Sequence, residues 1–328
     1  MTGVRIDLHV HSNASDGTDA PAEVIRRARE AALDILALTD HDTQAGVPEA
    51  RAALPVGLTL VPGMELSCAM VLEEQGEAGE TAAPRYPGQR SVHLLAYLFD
   101  PADGELSAET ARIRDDRVYR ARGMVALLRE RGVNVTWEQV TRIAGDAVVG
   151  RPHIARAMVE AGAIAQPSDA FTPEWIADGG RAFIDRYAIP LDRGIALVRA
   201  AGGVPVLAHP RSAGYEVSDE VIAGLAAAGL AGLEVYHPDH DDSERARLLA
   251  TASQLGLIVT GGSDDHGSFN NAGLGRDVTP PESYERILAM ATGDTPVPAV
   301  PPEAVPPQTI SPQDLPPDII PPQIFPGE

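Results

Sequence analysis

The 328-residue chain contains no lysine, and all 26 of its basic residues are arginine. That absence removes Schiff-base catalysis, the lysine-bearing phosphate loop of nucleotide hydrolases and a serine–lysine dyad. Cysteine is nearly as scarce. Cys68 stands alone, so intrachain disulfides and thiolate metal clusters are excluded and a cytosolic location is expected. No 18 consecutive apolar residues occur, and no basic segment followed by a long apolar one opens the chain, so neither a membrane span nor a signal peptide is expected. Positive charge is in deficit, because 47 acidic residues leave a formal net charge of -21. Such a chain repels long duplex nucleic acid unless arginine clusters or metal ions invert the field locally. Short or terminal phosphates remain accessible partners.

What is present begins at residue 6. In Ile6-Asp7-Leu8-His9-Val10-His11 apolar and polar residues alternate, so on a strand His9 and His11 project to the same face. The polar turn Ser12-Asn13-Ala14-Ser15-Asp16-Gly17 then sets Asp16 just beyond the strand end. A lone His-x-His is more often a surface or core pair than a metal site. Here the arrangement recurs. Ile35–Leu38 is closed by Thr39-Asp40-His41-Asp42, the run from Leu58 ends at Glu65, and Val92–Leu98 carries His93. Val204–Ala208 leads to His209, and the run from Leu257 ends in Ser263-Asp264-Asp265-His266.

Helices are expected at 19–33, 43–53, 192–201, 218–228 and 243–255, and their alternation with strands implies a parallel sheet, open or closed into a barrel. In either form ligands bind beyond the C-terminal strand ends. The acidic, glycine-rich stretch at roughly 70–90 reads as an exposed insertion. Between 101 and 189 only helical runs appear, at 106–131, 136–144, 151–161 and 173–178. The expected organisation is a barrel in two parts, 1–100 and 190–292, interrupted by a helical cap at 101–189. A Pro-rich tail, 293–328, is expected to be disordered and inert rather than a docking peptide.

His9, His11, Asp16, His41, Glu65, His93, His209, Asp264 and His266 therefore collect at one end of the sheet, and they include six of the nine histidines. Singly, each is explained as a buried hydrogen-bonded group. Jointly they point to a polynuclear site of imidazoles and carboxylates, suited to Mn, Fe or Zn.

The strings Asp7-Leu8-His9-Val10-His11-Ser12, Ser15-Asp16-Gly17, Thr39-Asp40-His41-Asp42, Gly63-Met64-Glu65, Ala208-His209-Pro210 and Gly262-Ser263-Asp264-Asp265-His266 closely resemble the motifs of the polymerase and histidinol phosphatase (PHP) superfamily. Arg151-Pro152-His153-Ile154-Ala155 and Gly232-Leu233-Glu234-Val235-Tyr236-His237-Pro238 look like its branch of 3′,5′-nucleoside bisphosphate phosphatases and 5′-to-3′ exoribonucleases. The resemblance covers about residues 4–290. It implies an α/β fold, a distorted seven-stranded barrel with a helical insertion, and three divalent ions per chain, with Mn favoured and Zn or Fe as alternatives. One ion would take His9, His11, Glu65 and Asp264, the second Glu65, His93 and His209, and the third Asp16, His41 and His266.

The chemistry implied is phosphoester hydrolysis by a metal-bridging hydroxide that Asp264 orients, on a small phosphorylated substrate, nucleotide or short oligonucleotide. Asp40 is expected to orient a ligand imidazole. Arg151, Arg211 and His237 are the candidates for holding a second phosphate or protonating the leaving group. Within His237-Pro238-Asp239-His240-Asp241-Asp242, a separate metal site is less expected than a helix N-cap at Asp241 or Asp242. Arg114, Arg117, Arg120 and Arg122 could line the cap, but neighbouring Asp115 and Asp116 favour an exposed salt-bridged face. Other readings stay open: a phosphatase of histidinol phosphate or another small metabolite, a non-catalytic metal-binding module, and a metal-dependent amide or ester hydrolase.

Overall fold

A computed structural model of the protein describes residues 3–71, 89–212, 216–270 and 272–298. Eight strands, β1 (Ile6–Val10), β2 (Ile35–Leu38), β3 (Thr59–Val71), β4 (Gln89–Tyr97), β5 (Ile189–Pro190), β6 (Val204–Leu207), β7 (Gly232–Tyr236) and β8 (Ile258–Gly261), form one sheet. Seven run in the order β1-β2-β3-β4-β6-β7-β8, while β5 pairs with β3. The path closes where Val10 bridges Asp265 and the His11 N–H donates to the Asp265 carbonyl at 3.0 Å. The result is a nearly closed seven-stranded barrel. Its short parallel strands are buried from end to end, as their continuous apolar runs require. At the seam the approach is close: a Cβ on Gly262 would meet the His9 backbone nitrogen at 2.6 Å.

The sheet is not wholly parallel. β4 runs antiparallel to both β3 and β6, with β3 and β4 in register from Gly63 opposite Tyr97 to Val71 opposite Gln89. Antiparallel neighbours such as β3 and β4 need no crossover connection.

Among the described residues nine α-helices accompany the strands: α1 (Pro21–Glu30), α2 (Val47–Ala52), α3 (Gly104–Glu130), α4 (Trp137–Ala144), α5 (Arg151–Glu160), α6 (Leu191–Ala200), α7 (Asp219–Ala227), α8 (Asp242–Leu255) and α9 (Pro281–Met290). Local chemistry explains their ends. Pro21 opens α1 with Glu23 in its first turn and Arg27 and Arg29 in its last. A Thr136–Gln139 capping box starts α4, and Asp241 with Glu244 starts α8, the N-cap expected there. Because β4 is reversed, α3 leaves from the foot of the barrel, where the Asp100 N–H donates to the Ala201 carbonyl. At 27 residues it spans about 40 Å and reaches the opposite end.

There α3, α4 and α5 share a hydrophobic core of their own, including Met124, Leu128, Val140, Ile154, Met158 and Ile176. Residues 173–178, expected to be helical, form turns; a short 3-10 segment occupies Pro167–Ala170 instead. Two prolines and Gly179-Gly180 around that stretch disfavour a continued helix.

The chain beyond α9 departs from the expected disordered tail at its start. Leu60 and Val297 exchange backbone hydrogen bonds of 3.0 and 2.8 Å, and the Asp294 N–H donates to the Leu98 carbonyl. Residues 293–298 thus fill a sheet edge that would otherwise leave backbone groups unpaired. Residues 299–328, and most of the insertion expected at 70–90, lie outside the described residues.

Candidate metal centre

Strand ends deliver the site. β1 carries His9 and His11 on one face, the turn after it carries Asp16, and the loop after β2 carries His41, whose backbone bridges Glu65 on β3. His93 comes from β4, His209 follows β6, His237 follows β7, and Asp264 and His266 follow β8. Asp42, His209 and Asp264 sit at φ of 56°, 25° and 51°, the left-handed region that side chains other than glycine rarely adopt. Such strain, on the order of 1–3 kcal/mol at each residue, persists where surrounding structure fixes it and concentrates at functional sites.

Glu65 is the hub. Its Oε2 lies 3.3 Å from His9 Nε2, 3.1 Å from His11 Nε2 and 3.2 Å from His41 Nδ1, and its Oε1 lies 2.7 Å from His93 Nδ1 and 3.0 Å from His209 Nε2. Asp264 Oδ1 lies 3.3 Å from His9 Nε2 and 3.2 Å from His11 Nε2, while its Oδ2 is 3.5 Å from His237 Nε2. Asp16 is 3.3 Å from His266 Nε2 and 3.8 Å from His41 Nε2. The structure thus brings together all nine residues expected to bind metal.

Three groupings place their ligand atoms within 4.8 Å of one another: His9, His11, Glu65 and Asp264; His11, Asp16, His41 and His266; and His41, Glu65 and His93. The first coincides with one expected set, the second adds His11 to another, and the third holds His41 where His209 was expected, His209 joining none of the three. His41 is shared more widely than expected, since its Nδ1 faces Glu65 and its Nε2 faces Asp16.

These groups fit divalent cations. Among the described residues, His11 Nδ1, Asp16 Oδ1, His41 Nδ1, His93 Nδ1, His237 Nε2 and Asp264 Oδ1 are buried without a well-formed hydrogen bond, although all but His11 Nδ1 approach another side chain of the cluster within 3.5 Å. Polar atoms without well-formed hydrogen bonds are costly in a protein interior, and so many in one cluster suit a bound cation. Imidazole and carboxylate donors suit Mn, Fe and Zn. The carboxylates are held ionised: burial pushes Glu65 up, but His93, His41 and His9 carry it well below the usual range. Asp16 and Asp264 are likewise lowered against burial, by His41 and His266 and by His9 and His266 respectively. For His9, burial acts downward, but Glu234, Asp264 and Glu65 outweigh it and hold the imidazole well above its ordinary value.

Support for the ligands came partly from residues that the sequence left without a role. Glu234, wholly buried on β7, lies 2.9 Å from His9 Nδ1 and accepts from the His209 N–H at 2.8 Å. Asp7 accepts from the His9, Ser263 and Gly275 backbone N–H groups. Asp40 contradicts the expectation that it orients an imidazole: it accepts from the Ser12 N–H and hydroxyl and from the Ser15 hydroxyl, at 2.7–2.8 Å. It therefore fixes the turn that carries Asp16.

The arginines sort differently from expectation. Arg211 turns away from the centre to Asp219 and Glu216, because its side chain follows the loop toward α7. His240 is no metal ligand candidate, since its Nδ1 lies 2.9 Å from the Val235 carbonyl and its Nε2 accepts from the Arg211 N–H. Of the four α3 arginines expected on an exposed face, only Arg122 lies there, its guanidinium carbon 4.9 Å from the Trp137 ring centroid. Arg117 and Arg120 are buried, with Arg117 bonded to Asp42 and Ser67, and Arg114 donates to the Asp42 carbonyl at 2.7 Å.

Beside the metal centre Arg90, Arg120, Arg151 and Arg186 line a cavity of about 260 Å³ together with Ser91 and Phe183. Arg186, from the segment before β5, donates to Ser67 at 2.6 Å and lies 3.2 Å from His93 Nε2. Arg151 pairs with Asp178 at 2.6 Å. Burial, then Arg151, Arg186 and Arg117, push the Arg120 guanidinium well below its ordinary pKa. Asp178 and Asp185 also line the cavity, so its four guanidinium groups leave an excess of positive charge there.

A conserved-domain description, PHP domain, matches residues 7–132. The chain is 32% identical over 277 residues to a 3′,5′-nucleoside bisphosphate phosphatase of Chromobacterium violaceum, a match spanning 83% of this chain and 90% of that protein. It is 29% identical over 288 residues to the 5′-3′ exoribonuclease Rnm of Salmonella typhimurium, spanning 86% and 92%. A crystal structure from Bifidobacterium adolescentis, assigned as a metal-dependent phosphoesterase, superposes with a TM-score of 0.76 at 34% identity, covering 88% of this chain and 97% of that one. The barrel and its buried ring of imidazoles and carboxylates define a hydrolase that works with divalent metal ions. The chain belongs to the PHP family and is a metal-dependent phosphoesterase. Among the described residues no helix is long and apolar enough to cross a membrane.

Proposed function

We propose that the protein hydrolyses phosphate esters at nucleotide termini, as a nucleoside bisphosphate phosphatase or an exonuclease on short RNA, with three divalent ions, Mn favoured. The observation that carries this reading is the arginine cavity adjoining the metal centre. A phosphate monoester needs one anion site, and a substrate with two phosphates needs a second at a fixed distance. Arg186 stands between the two, on the wall of the cavity and 3.2 Å from His93 Nε2.

In this reading His9, His11, Glu65 and Asp264 hold the first ion, Glu65, His93 and His209 the second, and Asp16, His41 and His266 the third. When bound, the ions lower the pKa of water and offset the charge of the phosphoryl group in transfer. The chain's own residues do the rest. Asp264 orients the attacking oxygen. His237, 3.5 Å from Asp264 at the rim of the centre, holds the proton that passes to the leaving oxygen. Arg151, Arg120 and Arg186 bind the phosphate that is not cleaved, and the cap around them sets the length of substrate accepted.

The test is phosphate release from adenosine 3′,5′-bisphosphate, AMP, short 5′-phosphorylated RNA and histidinol phosphate, each with and without chelator. Chelator-sensitive turnover of the bisphosphate or the RNA, well above AMP, is expected. Turnover of histidinol phosphate alone would refute the nucleotide assignment.

A further inference from the structure

We propose that Phe171 and Phe269 form a seat for the nucleobase of the substrate, an inference that rests on the nucleotide reading above. Aromatic residues are few in this chain, and most of those described are buried or used in packing. Phe99 belongs to the barrel core, while Phe183, Trp137 and Trp175 pack against the cap core. Phe171 and Phe269 belong to neither. Phe171 is 36% exposed and Phe269 is half-buried, and they meet edge to face with ring centroids 6.4 Å apart. One comes from the cap and the other from the barrel, so the pair spans the seam between them.

Its place is defined on both sides. The Phe269 ring lies 6.3 Å from the ring of His266 in the metal centre. On the other side, the Arg151 guanidinium carbon stands 5.7 Å from the centroid of Phe171 and 5.7 Å from that of Phe183, which lines the arginine cavity. Metal centre, aromatic pair and arginine cavity are therefore neighbours around one corner. That is the disposition required by a nucleoside 3′,5′-bisphosphate, in which one ribose carries a base and two phosphates. A base-free phosphate would leave the rings facing water.

A further cation completes the seat. The Arg156 guanidinium carbon stands 5.7 Å from the Phe269 centroid, and its Nη2 donates to the Asp16 carbonyl at 3.0 Å, which fixes the group beside the ring. Aromatic faces flanked by guanidinium groups take up a planar base by stacking, whatever its identity. The seat thus reads the presence of a base and not its sequence, which suits a phosphatase or exonuclease acting on any nucleotide.

The experiment compares two substrates on the Mn-loaded protein: 2′-deoxyadenosine 3′,5′-bisphosphate and the same sugar bisphosphate lacking a base. For the wild type, kcat/KM is expected to favour the base-bearing compound roughly ten- to hundredfold, mainly through KM. In Phe171→Ala and Phe269→Leu that preference is expected to fall at least fivefold, and Phe171→Trp is expected to retain it. Metal content and circular dichroism of each variant separate loss of the seat from loss of the centre. A wild-type preference near one, or a preference unchanged in Phe171→Ala, overturns the seat while leaving the phosphoesterase intact. Turnover of neither compound, with other phosphate esters hydrolysed, overturns the nucleotide reading and the seat with it.

Discussion

Glu234 Oε1 lies 2.9 Å from His9 Nδ1, and both side chains are wholly buried, one on β7 and the other on β1. The carboxylate accepts a hydrogen bond from the Nδ1 proton and fixes the ring so that Nε2, beside Glu65 and Asp264, is the nitrogen offered to a metal ion. Its second oxygen accepts from the His209 N–H, so one residue braces two ligands.

Glu234→Gln is therefore expected to lower metal affinity about 10- to 100-fold with the fold retained. Metal titration by calorimetry, with circular dichroism as control, checks it. Affinity within twofold of the wild type would show that the brace is dispensable.

Removal of metal should abolish activity and soften the protein. With buried acids and imidazoles facing one another, divalent ions at 100 times Kd would add about 2.7 kcal/mol. A Tm rise of about 5 °C or more is expected when Mn is added to chelated protein. Equal melting with and without Mn would contradict the fit.

Arg120 separates binding from stability. Its charge faces Arg151, Arg186 and Arg117, so Arg120→Met relieves repulsion while weakening the anion pocket. The expected outcome is a KM for two-phosphate substrates at least tenfold higher, a smaller change for AMP, and a Tm that holds or rises by about 2 °C. Equal losses on both substrates would remove Arg120 from the pocket. Arg151→Ala should show the same asymmetry.

How much of this was legible beforehand follows from how each residue is placed. His9 and His11 declare themselves because a strand has a period of two, and His41, Glu65, His209 and Asp264 because each follows an apolar run. Glu234 sits inside such a run, and its role depends on β7 and β1 standing close across a closed barrel. The arginines of α3 misled for another reason. Spaced at 114, 117 and 120, they trace a polar stripe like that of a solvent-facing helix, and only the tertiary fold reveals that the stripe faces Asp42 and the anion cavity. Arg186 lies in a segment with no periodicity at all, where nothing local singles it out.

His153 supplies a pH dependence. Burial lowers its pKa from 6.5 to about 4, and in the neutral form its Nδ1 accepts from the Gly150 N–H at the start of α5. The unfolded chain binds the proton more readily, so this contribution is full above pH 6.5 and is lost as pH falls toward 4. The loss amounts to roughly 3 kcal/mol at most. His153→Gln should therefore melt less steeply with acidification between pH 7 and 5 than the wild type, in thermal scans at each pH. An unchanged slope would assign the acid sensitivity elsewhere.

The pairing of Leu60 with Val297 gives a prediction for truncation. A chain ending at Pro298 keeps it, whereas one ending at Ala291 also loses the Asp294–Leu98 bond. The shorter chain should melt about 5 °C lower, at roughly 1 kcal/mol for each backbone bond. Coincident melting curves would show that this edge strand contributes nothing.

The reversal of β4 reaches further than sheet topology. It starts α3 at the foot of the barrel, and one unbroken helix then climbs the flank to the cap, fastened midway where Arg114 and Arg117 grip Asp42 beside His41. A roof raised on such a mast is not a hinged door. On the nucleotide reading proposed above, that helix fixes the gap between the imidazole cluster and the guanidinium hollow before any substrate arrives, a ruler set in the scaffold itself.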